Sequence, residues 1–192
     1  MKRKLGCIKP VLIILLAVCL LYFFVGDGKR VILTKIYPIK YQEYVEKYAG
    51  EYNLDIYLVY SIIKVESGFD PNAVSHADAK GLMQLMDKTA EYINQNEEFG
   101  YTIPDDLFDP QKNIKLGCCY FRTLMDTYGD MELAITAYNG GTGNVDKWLE
   151  DETLADGNGG LSDIPYAETK KYVKKVLKTY EMYNKLYKTG EI

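Results

Sequence analysis

The chain has a single histidine and a single tryptophan among 192 residues, and no stretch of any length alternates apolar with polar side chains. Without that period-two pattern it is not a sheet protein, and a small hairpin somewhere in 69–86 is the one place left for β-structure. The lone His76 stands near Asp78, too little for a metal site, and no His/Cys spacing suggests one elsewhere. Neither a metal nor another cofactor is expected. The four cysteines make no disulfide framework. Cys7 and Cys19 belong to the N-terminal apolar region. Cys118 and Cys119 are neighbours on a predicted helix, where they point about 100° apart, so a bridge would strain the backbone. They read as two small buried thiols. Positive charge is also scarce. Six of the 23 basic residues and one of the 27 acids fall in the first thirty positions, so 17 bases and 26 acids remain, a net of −9. A domain of that sign excludes nucleic acid as partner and argues against electrostatic capture of an anionic polymer. A polymer would have to be held in a groove by hydrogen bonds and stacking.

Hydrophobic residues make up 47% and charged residues 26%, which suits one globular domain with an appendage. The 18 tyrosines suit ligands with polar edges and apolar faces, such as sugars, although any one of them can equally be a core or boundary residue. The appendage is the N-terminus. Lys2, Arg3, Lys4 and Lys9 precede an uninterrupted apolar run over 11–25. That run is short for a hydrocarbon core of ~30 Å yet longer than many signal-peptide apolar regions. Gly26, Asp27 and Gly28 follow it, with no Ala-x-Ala cleavage site. Leu16-Ala17-Val18-Cys19 only loosely resembles a lipoprotein signal, since Val18 is a poor residue before the cysteine. An uncleaved signal anchor is favoured over a cleaved signal peptide or a lipoprotein. Its basic flank predicts a cytoplasmic N-terminus, a single pass through the cell membrane by 11–25, and an extracytoplasmic domain. The expected organisation is an anchor over 1–30, a stalk over 31–40 and a domain over 41–188.

Within that domain the pattern is helical almost throughout. Tyr41, Tyr44, Val45, Tyr48 and Ala49 share one helical face. Asp55 is placed to cap a second helix, apolar nearly all round and therefore central, that ends near Gly68. Asp87 or Thr89 is placed to cap a helix running to about Asn96. Asp109-Pro110 opens a long helix that stops at Gly129. A short helix over 131–138 stops at Asn139-Gly140-Gly141. One or two turns follow over 145–149, then a flexible loop over 156–160, and Pro165 opens the last helix.

Three short segments carry chemistry. Glu66-Ser67 ends the apolar second helix. Apolar surroundings and the negative end of the helix dipole both disfavour ionisation there, so the carboxyl pKa is expected to rise towards the range of a general acid. The bland alternative is a solvated Glu that ends a helix. Gly81-Leu82-Met83-Gln84-Leu85-Met86 follows: Gly81 permits a sharp turn, Gln84 offers a donor and an acceptor, and Met83 and Met86 are adaptable apolar contacts or core packing. Ala137-Tyr138-Asn139-Gly140-Gly141 closes a helix, and its glycines do not explain the tyrosine before them.

The order and spacing of these segments, with Glu168-Thr169 and Tyr172-Val173 after them, resemble the soluble lytic transglycosylase (SLT) family, over 41–187. The resemblance implies a mainly α fold, a compact lysozyme-like (goose-type/SLT) helical domain, here with an N-terminal transmembrane helix. It implies peptidoglycan glycan strands as substrate. Glu66 would be the sole acid/base, protonating the oxygen between N-acetylmuramic acid (MurNAc) and N-acetylglucosamine (GlcNAc). It would then take the proton of the MurNAc C6 hydroxyl as that attacks C1, leaving a 1,6-anhydro end. Ser75, Met83, Gln84, Met86, Tyr138, Asn139 and Tyr172 would contact substrate, with Tyr138 placing its hydroxyl near Glu66. Ser67 and Glu168 would support, Glu168 either as a buried positioning partner or as a helix-start charge. The segment departs from the family pattern at His76-Ala77-Asp78-Ala79-Lys80 and at Asp87, which bears on the shape of the loop. A muramidase that adds water, using a second carboxylate, and an inactive membrane-tethered glycan-binding scaffold are the competing readings. Wall remodelling, spore processes and wall opening for a secretion or conjugation machine all fit, and a partner in such machinery is unidentified at this point.

Overall fold

The structure, a computed structural model, describes residues 8–25 and 27–189. Among them it is mainly helical, and contacts group Lys40–Tyr183 into one unit and the chain on either side of it into another.

In the larger unit, helices start where the sequence supplies a cap. Helices α1 and α2 belong to the smaller unit and are described after it. Helix α3 is Gln42–Glu51 and α4 is Ile56–Glu66. Asp55 caps α4, its Oδ1 accepting from the Tyr57 N–H at 2.8 Å. Every residue from 58 to 63 of α4 is buried, including Ser61, whose hydroxyl donates to the Tyr57 carbonyl at 2.6 Å. The expected central helix is there, and it ends at Glu66 with Ser67 as its C-cap, two residues before Gly68. Helix α5 is Asp87–Asn96. Neither Asp87 nor Thr89 caps it: Met86 stands at the N-cap without a side-chain bond, and the Asp87 carboxylate turns instead to Lys80 at 2.8 Å. A covered ammonium is a stronger partner for it than a backbone N–H.

After a single 3₁₀ turn at Asp105–Phe108, α6 runs over Pro110–Tyr128. Asp109 accepts from the Lys112 N–H at 2.9 Å, Pro110 takes the first helical position, and Gly129 closes the helix in the left-handed region. Cys118 and Cys119 lie buried and unbridged in it. Helix α7 is Met131–Gly140, capped by Asp130 and two residues longer than its pattern predicts. Helix α8, Thr142–Glu150, exceeds the expected turn or two, and α9 is Ala167–Tyr183, beginning two residues after Pro165. Helix α4 packs on α9 and α3, and α7 packs on α6, α8 and α9, so α4 and α7 sit at the centre. β-structure among the described residues is limited to isolated bridges, Val74 with Lys80 and Lys80 with Leu85 in the region expected, and Ala155 with Leu161 beyond it.

The smaller unit holds α1, Ile8–Val25, α2, Asp27–Ile36, and a π-helical segment, Asn184–Thr189. Helix α2 makes much of the expected stalk helical. Gly28 has no room for a Cβ, which would lie 2.2 Å from the Phe23 carbonyl, so its lack of a side chain lets α2 start hard against the end of α1. Among the described residues no single helix is long and apolar enough to cross a membrane. Residues 10–23 and 28–36 have the length and composition only together, bent by 50° between them. The basic flank Lys2, Arg3 and Lys4, with Cys7 and Gly26, lies outside the described residues, as does the side chain of Lys9.

Candidate active site

Helix α4 delivers Glu66 as its last residue, at the edge of the apolar core it has just traversed. Ser67 ties that end down. Its Oγ lies 2.8 Å from the Leu82 carbonyl and 3.1 Å from the Ile63 carbonyl, and accepts from the Phe69 N–H at 3.1 Å. The helix end and the 81–86 segment are thereby one piece.

That segment is shaped by two residues that the sequence pattern does not flag. Asn113, fully buried in α6, accepts from the Met83 N–H at 2.7 Å and donates to the carbonyls of Lys80 and Leu107 at 3.0 and 2.9 Å. Lys80, largely covered, donates to Asp78 at 2.9 Å and Asp87 at 2.8 Å, and these bonds hold its ammonium protonated. Gly81 has φ +77°, and a Cβ there would stand 2.1 Å from the Leu107 carbonyl, so the turn needs glycine both for conformation and for space.

The predicted residues then separate into those that reach the groove and those that hold it. A groove of about 990 Å³ is lined by Glu66, Ser75, Gln84, Met86, Tyr138, Asn139 and Glu168, all predicted. His76 and Tyr166 line it too. Gln84 takes φ 49°, and its Nε2 donates to the carbonyls of Gly81 and Ala73 at 2.8 and 3.0 Å, which leaves Oε1 as the acceptor for a ligand. The Ser75 Oγ accepts from the N–H groups of Ala77 and Ala79 at 3.2 and 3.0 Å and keeps its proton to donate. Met86 is exposed, whereas Met83 is fully buried with its sulfur against Gly117. Of the two roles open to Met83, its side chain takes core packing. Glu168 is exposed in the first turn of α9, which makes it a helix-start charge on the groove rim and not a buried partner.

Both tyrosines neighbour Glu66, but only one is bonded to it. Tyr138 does not donate to Glu66: its hydroxyl donates to the Met83 carbonyl at 2.7 Å. Tyr172, buried on α9 and absent from the groove lining, donates to Glu66 Oε1 at 2.5 Å. Burial, then the neighbouring Glu66 carboxyl, raises both phenol pKa values well above the usual, so both hydroxyls remain protonated donors. Glu66 itself is pushed up to about 7. Burial is the main cause, opposed by the Tyr172 hydrogen bond and by Lys175. Its side chain keeps a partial opening to the groove, so a carboxyl poised near neutrality faces the space where a ligand fits. Such a group can give a proton and later take one back.

Tyr166 is a groove residue that sequence reasoning missed. It is half exposed and stands edge-on to Trp148, ring centroids 4.9 Å apart at 83°. Pro165 directly before it was read only as a helix start, and its position beside the sole tryptophan is visible only in three dimensions. Glu66 and Glu168 are the carboxylates lining the groove among the described residues. No grouping of three or more His, Cys, Asp or Glu among them could hold a metal ion.

Known proteins share this fold. The family model described as "Transglycosylase SLT domain" matches residues 43–158. The soluble lytic murein transglycosylase of Escherichia coli K12 is 30% identical over 81% of this chain and 24% of its own length. The membrane-bound lytic murein transglycosylase C of Edwardsiella ictaluri is 34% identical over 77% of this chain and 47% of its own. The chain thus spans between a quarter and a half of these relatives. Among solved structures, the 70 kDa soluble lytic transglycosylase of Escherichia coli superposes with a TM-score of 0.74 at 30% identity, covering 82% of this chain and 26% of that one. An inactive Glu-to-Gln mutant of the lytic transglycosylase Slt from Pseudomonas aeruginosa gives 0.72 at 28%, covering 88% and 29%. With its motifs assembled around one groove and a family match over most of the helical unit, this chain belongs to the transglycosylase SLT domain family.

Proposed function

We propose that this protein is a membrane-anchored lytic transglycosylase that cleaves the MurNAc–GlcNAc β-1,4 bonds of peptidoglycan and leaves 1,6-anhydro ends. The observation that carries the reading is the Glu66 carboxyl, raised to about 7 and held by Tyr172 at the edge of the groove. Protonated Glu66 gives its proton to the leaving oxygen as the bond to MurNAc C1 breaks. As carboxylate it then takes the proton of the MurNAc C6 hydroxyl, which closes onto C1. One group with a pKa near the working pH serves both half-steps, and no water is consumed. Ser75, Gln84 Oε1 and Asn139 supply hydrogen bonds to sugar hydroxyls and amides, Met86 an apolar contact, and Tyr166 on Trp148 an aromatic face. Hydrogen bonds and stacking are the means that an acidic domain has for holding an anionic strand.

Hydrolysis is the second reading, and Glu168 favours it. Ordinary glycosidases of either stereochemical outcome use two carboxylates, and Glu168 lines the same groove as Glu66. Its solvent-exposed place at the start of α9 suits a charge rim better than a base held against a water.

The anchor belongs to the same proposal. Val11, Leu12, Ile13, Ile14 and Leu16 are all more than half exposed, so α1 is apolar all round and without a protein partner for that surface. A single pass through the cell membrane, with the enzyme outside, accounts for it. The test is mass spectrometry of muropeptides released from purified peptidoglycan by the intact protein. Products lighter by one water than hydrolysis products are expected, and Glu66→Gln should release none. Reducing MurNAc ends would instead establish a muramidase.

A further inference from the structure

The stretch after the apolar run is not the polar spacer that a stalk in water would be. Helix α2 exposes Val31, Ile32 and Ile36 together with Lys29 and Lys35. At 100° per residue Ile32 and Ile36 point about 40° apart, and Lys29 and Lys35 flank that ridge on its two sides. The opposite side carries Leu33, Arg30 and Thr34. Leu33 and Thr34 are half-buried, and the Arg30 guanidinium donates to the carbonyl of Leu186, itself buried, in the π-helical segment. One side of α2 is therefore occupied by its own unit. The other presents an apolar ridge between two lysines, with the Ile32 and Ile36 side chains exposed.

We propose that α2 is an interfacial helix that lies on the membrane. Ile32 and Ile36 enter the headgroup–acyl boundary while Lys29 and Lys35 reach out to anionic lipid headgroups. This rests on the reading that α1 inserts. Three observations select a lipid surface as the occupant. An apolar ridge with lysines at its margins is the pattern of an interfacial helix, whose long side chains run along apolar surface and place the charge in the headgroups. The ridge continues in sequence from the apolar α1, so α2 enters at the depth where α1 leaves. The break between 10–23 and 28–36 bends the chain by 50°, so α2 leaves the line of α1, and a tilt of about 20° for α1 in the plane of the bend inclines α2 by up to about 70° from the bilayer normal.

The sole tryptophan, Trp148, makes the test direct. In a Trp148→Phe background, the full chain carrying Ile32→Trp, Ile36→Trp or Thr34→Trp is reconstituted into vesicles of phosphatidylcholine and phosphatidylglycerol. The vesicles contain lipids brominated either near the headgroup or deep in the acyl chains. Leu16→Trp serves as the anchor control. The expected result is blue-shifted emission at 32 and 36, quenched several-fold more by shallow than by deep bromines, with position 34 little quenched and position 16 quenched by the deep ones. Lys29→Glu with Lys35→Glu should abolish the shallow quenching at 32 on anionic vesicles and leave position 16 deep. Water-like, unquenched emission at 32 and 36 with position 16 still deep would overturn the interfacial helix and keep the anchor. Deep quenching at 32, 34 and 36 alike would overturn it in favour of one bent span. An unquenched position 16 would remove the anchor reading and this inference with it.

Discussion

Replacing Tyr172 with Phe removes one hydroxyl and keeps the buried ring. That hydroxyl donates to Glu66 Oε1 at 2.5 Å, so it favours the carboxylate over the acid, against the burial that raises the pKa to about 7. A hydrogen bond to a charged group contributes about 1.5–3 kcal/mol, and one pKa unit corresponds to about 1.4 kcal/mol, so its loss moves Glu66 upward by roughly one to two units. On the proposed mechanism, cleavage needs Glu66 protonated in the free enzyme. The alkaline limb of kcat/KM should therefore lie near pH 7 for the native protein and shift by that amount to higher pH in Tyr172→Phe, while kcat falls from lost orientation. The assay is the pH profile of muropeptide release from purified peptidoglycan, with circular dichroism to confirm the native fold. A limb that stays in place or moves to lower pH in a folded variant would refute the assignment of Tyr172 as the hydrogen-bond donor that sets the acid.

Three further outcomes follow from the same geometry. Because the folded pKa of Glu66 lies above the usual carboxylate value, the folded state binds the proton more tightly, and stability is lost as pH rises from about 4.5 through about 7. Glu66→Gln should therefore be more stable than the native protein at pH 8, by up to about 3 kcal/mol in urea unfolding, with the difference vanishing near pH 4; equal stability at both would contradict the raised pKa. Asn113→Ala strands the Met83 N–H and the carbonyls of Lys80 and Leu107 in the core and should cost about 3 kcal/mol or more, read from the urea midpoint, and a loss below 1 kcal/mol would mean that the 81–86 segment is held elsewhere. Tyr166→Ala should raise KM for glycan strands about tenfold with kcat little changed, since an aromatic contact contributes about 1–1.5 kcal/mol; a fall in kcat at constant KM would place Tyr166 nearer the reacting bond.

The elements that sequence made legible are those whose determinants are local. Asp55 before an apolar run and Asp109-Pro110 mark helix starts because the capping bond closes within a few residues. Glu66 is readable because an apolar helix ends on it, a signal that lies within α4. What stayed hidden depends on partners far along the chain. Asn113 reads as one more polar residue in a helix, yet its three bonds span 6 to 33 residues. Tyr138 and Tyr172 both fit the motif and both neighbour Glu66, but which hydroxyl bonds it is decided by how α7 and α9 pack, and it is Tyr172. Met83 and Met86 are three positions apart in one short segment, and only the presence of Gly117 beneath the first makes it core. Helix α2 falls largely where the sequence reads as a stalk, and Gly28 is there because two helices meet too closely for a side chain.

The bond between Glu66 and Tyr172 joins residues separated by 106 positions. A chain made from its N-terminus produces the acid early and the group that sets it late. Before α9 docks on α4, Glu66 lacks that bond and part of the cover that raises its pKa. On the proposed mechanism, activity therefore waits for the last helix, and a chain cut short before Tyr172 lacks the bond that holds the acid.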